Sequence, residues 1–208
     1  MQDPNKITRF GLMRHAQTEW NREKKIQGLC DSPLTADGER QASAWGRLLA
    51  QYSWDRILTS DSDRALTTAE RINVFLNLPI EADSRLREQD WGRWAGKTVA
   101  QVKAAQPLEL AEQVNAGWEF RPPGGEDRKS VLARGQRALQ EAFGRWPGEN
   151  ILVVTHEGVI KSLVYHLSGR KFLPTEAPLL ESYQLHRLVH DIDGLHLEAA
   201  NALALNTT

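Results

Sequence analysis

The sequence of 208 residues contains a single cysteine, Cys30. One cysteine cannot form an internal disulfide, and it cannot supply the several thiolates of a cysteine-based zinc site. The disulfide-stapled scaffolds of small secreted domains are therefore excluded as a class. Cys30 itself is expected to be an inert or weakly exposed thiol, because a reactive cysteine requires an electropositive setting.

An excess of charge is also missing, since 26 Lys and Arg residues stand against 27 Asp and Glu residues and the formal net charge is −1. Nucleic-acid-binding proteins usually carry a basic excess on one face, so no nucleic-acid partner is expected. No apolar stretch approaches the length of a membrane span, and the segment MQDPNKITRF lacks the apolar region of a secretory signal. We therefore expect a cytoplasmic enzyme or binding protein with no membrane partner.

Hydrophobic residues make up 40% of the chain, enough to bury a sizeable core. Short apolar runs alternate with amphipathic segments, which is typical of an α/β protein with a mostly parallel central sheet. The middle of the chain, about residues 89–125, is irregular and predicts an insertion over the carboxyl-terminal edge of that sheet. Residues 1–208 are expected to form one domain. Strands are predicted over 7–13, 54–60 and 150–156, helices after Thr35 and over 60–78, 98–116, 127–145 and 157–169, and a hairpin over 183–200.

The three predicted strands end in the same way, with an apolar run, a polar turn and the start of a helix. Ligands bind outside the carboxyl ends of the strands in open α/β sheets. Arg14, His15, Arg64 and His156 are therefore predicted to meet at one edge of the sheet. Two guanidinium groups and two imidazoles form a site for a phosphate-like anion. Each residue alone is better explained as structural or solvated, so the prediction depends on their convergence.

A phosphate site made only of cations supplies no proton to a leaving oxygen. Glu88 lies in the segment LREQDWGRWAG, where Trp91 and Trp94 would desolvate its carboxyl group and raise its pKa. The alternative is an exposed carboxylate beside aromatic packing residues, which periodicity alone favours. The residues by themselves leave these two interpretations of Glu88 open.

The segment LMRHAQTEWN resembles the Arg-His-Gly-x-Thr-x-x-Asn motif of the histidine phosphatase superfamily, the phosphoglycerate-mutase-like enzymes. Five further segments resemble blocks of that family in the same order, and together the six span about residues 8–165. The resemblance implies a three-layer α/β/α sandwich with a mostly parallel central sheet. It also implies a metal-independent phosphomonoesterase of the histidine acid phosphatase type that uses no cofactor. The five further segments are IQGLCDSPLTADGERQA, LTSDSDRALTTAE, LREQDWGRWAG, PPGGED and VVTHEGVI.

The same resemblance implies a role for each matching residue. His15 would attack phosphorus and form a phosphohistidine. Glu88 would protonate the leaving alcohol and later accept a proton from the hydrolytic water. The residues implied to bind the phosphoryl group are Arg14, Asn21, Arg64 and His156.

Three positions depart from the family pattern. Ala16 replaces a glycine, which is tolerable if its backbone has a negative φ. Asp127 stands where the family often has serine, and it can still cap a helix. Glu157 replaces a glycine after His156, and its carboxylate would weaken phosphate binding unless it points away or pairs with a cation.

Three rival functions are weighed against a phosphatase. The short segment between Glu88 and Glu126 disfavours a cofactor-dependent phosphoglycerate mutase, since mutases with this motif carry a longer insertion there. A catalytically inactive phosphate-binding module of the same fold rests only on Glu157. A metallohydrolase would need ligands from the C-terminal hairpin, which lacks ligand-like spacing and is interpreted as carrying scattered surface histidines. Those candidate ligands are His186, His190, His196, Asp191 and Asp193.

The expected partner is a small-molecule phosphate monoester whose identity is set by the insertion, acting as a substrate lid. Aromatic residues there indicate a partly apolar leaving group, and Arg121 would meet a second anion. α-Ribazole phosphate, sugar phosphates and phosphoglycerate derivatives all fit these features. The exposed hairpin strand offers an edge for a homodimer. The candidate pocket residues are Gln27, Gly28, Trp91, Arg93, Arg121 and Glu157.

Overall fold

The computed structural model describes residues 6–205, and within them six strands form one mixed sheet in the order β3-β2-β4-β1-β5-β6. Strands β1 to β4 pair in parallel, and β5 and β6 extend the sheet in the antiparallel direction beyond β1. The predicted α/β class and mostly parallel sheet are confirmed. The strands are β1 (Thr8–Arg14), β2 (Arg56–Thr59), β3 (Ile80–Ala82), β4 (Asn150–Thr155), β5 (Gln184–Asp191) and β6 (Gly194–Ala204).

Helices follow the parallel strands and form the insertion. Every helix predicted from periodicity is present, including the break at Pro107 that separates α4 from α5. Among the α-helices and strands of residues 6–205, two were not predicted, α1 and β3, because four and three residues are too few to show a period. The helices are α1 (Glu19–Arg22), α2 (Ala36–Leu49), α3 (Asp63–Leu76), α4 (Val99–Ala105), α5 (Pro107–Asn115), α6 (Arg128–Arg145) and α7 (Glu157–Leu167).

Two hydrophobic cores lie on opposite faces of the sheet and make the predicted three layers. Alternate residues of a strand point to opposite faces. In β4, Ile151 and Val153 join the core beneath α6 and α7, whereas Leu152 and Val154 join the core beneath α2 and α3. All four side chains are fully buried. The continuous apolar run of β4 is therefore explained by a strand covered on both sides.

The ends of several helices carry the capping residues that the sequence indicates. Thr35 accepts a hydrogen bond from the backbone N–H of Gly38, and Asp127 accepts one from Ser130 N–H at 2.8 Å. Gly169 follows α7 with φ at +68°, the left-handed conformation that terminates a helix. The predicted caps are confirmed at these positions.

The C-terminal hairpin corrects one expectation. His186 and His190 were interpreted as surface residues, but they are only 3% and 4% exposed. His190 stacks on Phe143 of α6 with ring centroids 4.2 Å apart, and His186 Nδ1 accepts a hydrogen bond from Asn201 N–H. Packing against α6 buries the ring of His190, and of the three histidines in the hairpin only His196 is exposed.

Residues 6–205 contain no group of three or more His, Cys, Asp or Glu side chains arranged to hold a metal ion. Over the same residues, none of the helices combines the length and the apolarity needed to span a bilayer.

Candidate active site

Three adjacent parallel strands bring the predicted residues to one edge of the sheet. Strand β1 ends at Arg14, which lies opposite Thr155 at the end of β4. His15 follows immediately, and its backbone N–H donates to Thr155 O at 2.9 Å, so the sheet pairing holds its position. His156 follows β4 as the N-cap of α7, and Arg64 lies in the first turn of α3 after β2. The predicted convergence is therefore present.

His15 is buried at this edge of the sheet, with 3% of its surface exposed. Its Nδ1 lies 2.8 Å from the carbonyl oxygen of Ala16, which fixes the proton on Nδ1. Desolvation, followed by the charges of Arg14 and Arg64, holds its pKa well below the usual 6.5 despite that hydrogen bond. His15 is therefore neutral at pH 7, and its Nε2, which makes no hydrogen bond within residues 6–205, carries a free lone pair.

Arg64 is an almost fully buried guanidinium, 2% exposed. Its Nη2 donates to Gly28 O at 2.8 Å, and its Nη1 donates to Cys30 O at 2.9 Å and to the carboxylate of Asp31. Its Nε is buried without a partner among the described residues. An unsatisfied buried donor is costly in a folded protein, so it marks a place where an anion oxygen would bind.

His156 is hydrogen-bonded to Arg64 and does not belong to the described cavity wall. Its ring centroid is 5.1 Å from that of His15, and the residue is fully buried. Arg64 Nη2 donates to its Nδ1 at 3.2 Å, so the proton is on Nε2, which lies 2.9 Å from Ser60 Oγ. Desolvation, then the charges of its neighbours, places its pKa well below 6.5.

Glu157 neutralises part of the positive charge at the site. Its carboxylate pairs with Arg14 Nη1 at 2.6 Å and with Lys161 Nζ at 2.6 Å. Desolvation opposes its ionisation, but the charges of Arg14 and Lys161 outweigh that effect and lower its pKa. Of the two conditions named for this unusual carboxylate, pointing away from the site or pairing with a cation, the structure shows the second. Arg14 Nε is also buried without a partner among the described residues.

Glu88 approaches the site from the loop that follows β3. Its Oε1 accepts hydrogen bonds from Gln89 N–H at 2.8 Å and Gly158 N–H at 3.1 Å. Desolvation raises its pKa above 4.5 even though these hydrogen bonds and two arginines act in the opposite direction. The exposed-carboxylate interpretation is therefore wrong, because Glu88 is half-buried and lines the cavity.

Three neighbouring residues complete the floor of the cavity. Asn21 forms a reciprocal cap with Thr18, in which its Oδ1 accepts from Thr18 N–H at 3.1 Å. Gln27 is buried, donates to Thr18 Oγ1 at 2.6 Å, and has an Oε1 without a partner among the described residues. Gly28 has φ at +56°, which turns its carbonyl oxygen toward Arg64.

The cavity has a volume of about 330 Å³ and opens at this edge of the sheet. The prediction that Arg93 and Arg121 line the substrate pocket is wrong, because both residues are exposed and neither lies in the described cavity wall. Trp94 is fully buried with Phe120 in the insertion's own core, and only Trp91 of the two tryptophans lines the cavity. The predicted residues in the wall are Arg14, His15, Asn21, Gln27, Gly28, Arg64, Glu88, Trp91 and Glu157.

Nine further residues of the wall were not predicted, among them the three cations Lys25, Arg128 and Lys161 and the aromatic Phe172. Lys161 was detectable in principle, because it lies four residues after Glu157 on the same helix face. Arg128 begins α6 next to the predicted cap, but nothing in its sequence neighbourhood shows which way its side chain points. Phe172 lies in an irregular segment where no period exists.

The comparisons with known proteins agree with this geometry. Residues 10–202 match the family model described as histidine phosphatase superfamily (branch 1). The chain belongs to the histidine phosphatase superfamily. It is 34% identical over 163 residues to "Uncharacterized phosphatase PhoE" of Bacillus subtilis (strain 168), covering 78% of this chain and 79% of that protein. It is 35% identical over 158 residues to "Probable phosphoglycerate mutase GpmB" of Salmonella choleraesuis (strain SC-B67), covering 76% and 74% respectively.

Solved structures of histidine phosphatase superfamily members have the same fold. Bacillus stearothermophilus YhfR superposes with a TM-score of 0.86 at 32% identity, over 95% of this chain and 98% of that one. A mycobacterial glucosyl-3-phosphoglycerate phosphatase in complex with VO3 superposes with a TM-score of 0.81 at 30% identity, over 94% and 99%. The predicted family is confirmed, and with it a phosphatase-type enzyme fold.

Proposed function

We propose that this protein is a phosphomonoesterase that hydrolyses a small phosphorylated metabolite through a phosphohistidine on His15. The observation that carries the proposal is the state of that imidazole. It is neutral, its Nδ1 proton is held by Ala16 O, and two arginines stand beside it. A neutral imidazole with a free Nε2 lone pair is a nucleophile, and flanking guanidiniums neutralise the charge of a phosphoryl group.

In the first step, His15 Nε2 forms a bond to phosphorus as the bond from phosphorus to the leaving oxygen breaks. The proton of Glu88 goes to that oxygen, so an alcohol leaves rather than an alkoxide. The raised pKa of Glu88 suits this role, because the carboxyl must be protonated when the substrate binds. In the second step, water attacks phosphorus, Glu88 accepts a proton from it, and His15 leaves as the neutral base.

The phosphoryl oxygens would satisfy the two guanidinium Nε donors that lack partners among the described residues, those of Arg14 and Arg64. Binding also changes the surroundings of His156. We propose that Arg64 Nη2 also turns to the phosphate, which removes the donor from Nδ1 of His156. Ser60 Oγ can then donate to Nε2, and the tautomer with the proton on Nδ1 can donate to a phosphoryl oxygen. His156 would thus stabilise the phosphoryl group by a hydrogen bond that forms only after the substrate has bound.

The electrostatic stabilisation in this scheme comes from arginine and imidazole, so we propose a reaction without a metal ion or cofactor. Full activity against p-nitrophenyl phosphate in EDTA is the expected result. Activity that disappears in EDTA and returns with a divalent cation would contradict the proposal.

The resemblance to GpmB supports phosphoglycerate mutase as a second candidate. The two activities separate in one assay, in which release of inorganic phosphate and formation of 2-phosphoglycerate are measured from 3-phosphoglycerate with 2,3-bisphosphoglycerate present. We expect phosphate release without mutase turnover. A panel of α-ribazole phosphate, sugar phosphates and phosphoglycerate derivatives would then identify the preferred leaving group.

Residues 1–208 are proposed to act as one domain, with about 89–125 as its lid.

Gly158 tests the position of the Glu88 carboxyl without altering Glu88 itself. A Cβ at position 158 would lie 2.2 Å from Glu88 Oε1, so Gly158→Ala must displace the carboxyl group. We expect hydrolysis of an alkyl phosphate to fall by roughly 10- to 100-fold, a large part of what a positioned acid contributes. Thermal unfolding should change little, because the displaced group is the end of a flexible side chain.

Gly135→Ala is the matched control, because the atom nearest to a Cβ at that position is 3.5 Å away. Unchanged kinetics in Gly158→Ala would contradict the role of Glu88.

A further inference from the structure

The cavity wall contains one cation without a carboxylate partner. Arg14 and Lys161 pair with Glu157, and Arg64 and Lys25 pair with Asp31 and Glu23. Arg128 lines the same cavity and forms no ion pair with any of residues 6–205. The phosphate-binding arginines thus have their own counter-ions, whereas the charge of Arg128 is balanced by nothing in the described part of the chain.

The guanidinium of Arg128 is held rigidly. It lies between two aromatic rings, 4.2 Å from the centroid of Phe120 and 4.3 Å from that of Phe172. Its Nη1 donates to Gly117 O at 2.7 Å. Because a guanidinium has five N–H donors, the others remain available at fixed positions. Burial lowers the pKa of Arg128 to about 10, so the group is still a cation at neutral pH.

The location of Arg128 is unfavourable for the helix that carries it. It is the first residue of α6, and a cation at a helix N-terminus is repelled by the helix dipole. Two aromatic faces and one carbonyl therefore hold a single positive charge beside the cavity, although the helix dipole opposes it. One uncompensated charge matches a carboxylate, which an arginine fork binds through two parallel hydrogen bonds.

We propose that the leaving group of the substrate carries a carboxylate that binds the guanidinium of Arg128, so this residue selects carboxylate-bearing phosphate monoesters. The inference rests on the proposed phosphomonoesterase activity, and it assigns a second anion subsite to Arg128 in place of the predicted Arg121. Arg121 instead donates through Nε to Gly125 O.

Two pairs of matched substrates test this inference. Each pair differs only in an acid and its neutral amide: 3-phosphoglycerate with 3-phosphoglyceramide, and 4-carboxyphenyl phosphate with 4-carbamoylphenyl phosphate. In the wild type we expect kcat/KM for the acid to exceed that for the amide by about 10-fold or more in at least one pair, as for a hydrogen bond to a charged group. Arg128→Gln should slow the acid by roughly 10- to 100-fold and the amide by less than about threefold. Arg128→Lys should retain part of the preference.

Arg137→Gln provides the matched control, because Arg137 is exposed on the same helix and the substitution removes the same charge. Its acid-to-amide ratio should equal that of the wild type. Equal turnover of acid and amide by the wild type in both pairs would overturn the inference, as would Arg128→Gln slowing both members equally. Hydrolysis of the amides and of p-nitrophenyl phosphate would then leave the phosphomonoesterase standing. Failure to hydrolyse any ester would overturn both.

Discussion

His15→Ala is expected to lower kcat by about 10⁴-fold or more on every phosphate monoester, as loss of the nucleophile does in other covalent enzymes. The expectation follows from the geometry, since His15 offers the free ring nitrogen between Arg14 and Arg64 at the floor of the cavity. The fold should survive, because the imidazole packs at the sheet edge and its only hydrogen bond within residues 6–205 is to the neighbouring residue's carbonyl. The measurement is single-turnover hydrolysis, accompanied by thermal unfolding.

His190→Ala is the control for His15→Ala. It also removes a buried imidazole, but this one stacks on Phe143 and hydrogen-bonds to Gln140, and none of these three residues lines the described cavity. We expect His190→Ala to cost stability and to keep kcat within about threefold, since it lacks any contact with the site. Comparable loss of activity in both variants would show that histidine burial, and not the nucleophile, is what matters.

Glu88→Gln is expected to slow hydrolysis of an alkyl phosphate by roughly 10²- to 10⁴-fold, the usual contribution of a positioned general acid. An alkoxide is a poor leaving group and needs the proton, whereas p-nitrophenolate leaves readily without it. Phosphoenzyme formation from p-nitrophenyl phosphate should therefore be slowed much less, although the later hydrolysis step loses its base. Single-turnover rates on the two substrates make the comparison.

The pH dependence provides a second readout for Glu88. Since burial raises its pKa, the protonated acid persists to higher pH than for an ordinary glutamate, and alkyl phosphate hydrolysis should fall as pH rises through that pKa. Glu88→Gln should lose this limb of the profile. An equal loss on both substrates in the phosphorylation step would mean that Glu88 is not the acid. Glu157 would then be the remaining carboxyl of the described cavity wall, since Asp90 and Glu126 lie outside it.

Much of the site could be predicted because its residues follow strands. An apolar run that changes to a polar turn marks the carboxyl end of a parallel strand, and β1, β2 and β4 place Arg14, Arg64 and His156 at one edge in this way. The mutual position of these residues is set by backbone pairing. Glu88 could not be placed in this way, because it lies on a loop that shows no periodicity. Its proposed role as the acid was implied by the resemblance to the family.

The helices of the insertion could be predicted from the sequence, but which side chains there and next to it face the cavity could not. Arg93 and Arg121 were expected in the pocket and are exposed outside it, whereas Arg128 faces the cavity. Which arginine turns inward depends on the rings of Phe120 and Phe172, which come together only in the folded chain. The burial of His186 and His190 escaped prediction for a similar reason, because α6 and the bulged pairing of β5 with β6 decide it.

The central claim is a phosphoryl group carried by His15, and trapping that group tests it most directly. The wild type is mixed with ³²P-labelled substrate, quenched in base within milliseconds, digested, and mapped by mass spectrometry and ³¹P NMR. We predict a base-stable, acid-labile phosphate on Nε2 of His15, because Nδ1 is occupied by its hydrogen bond to Ala16 O. Phosphate on another residue, on Nδ1, or persisting in His15→Ala would contradict the mechanism.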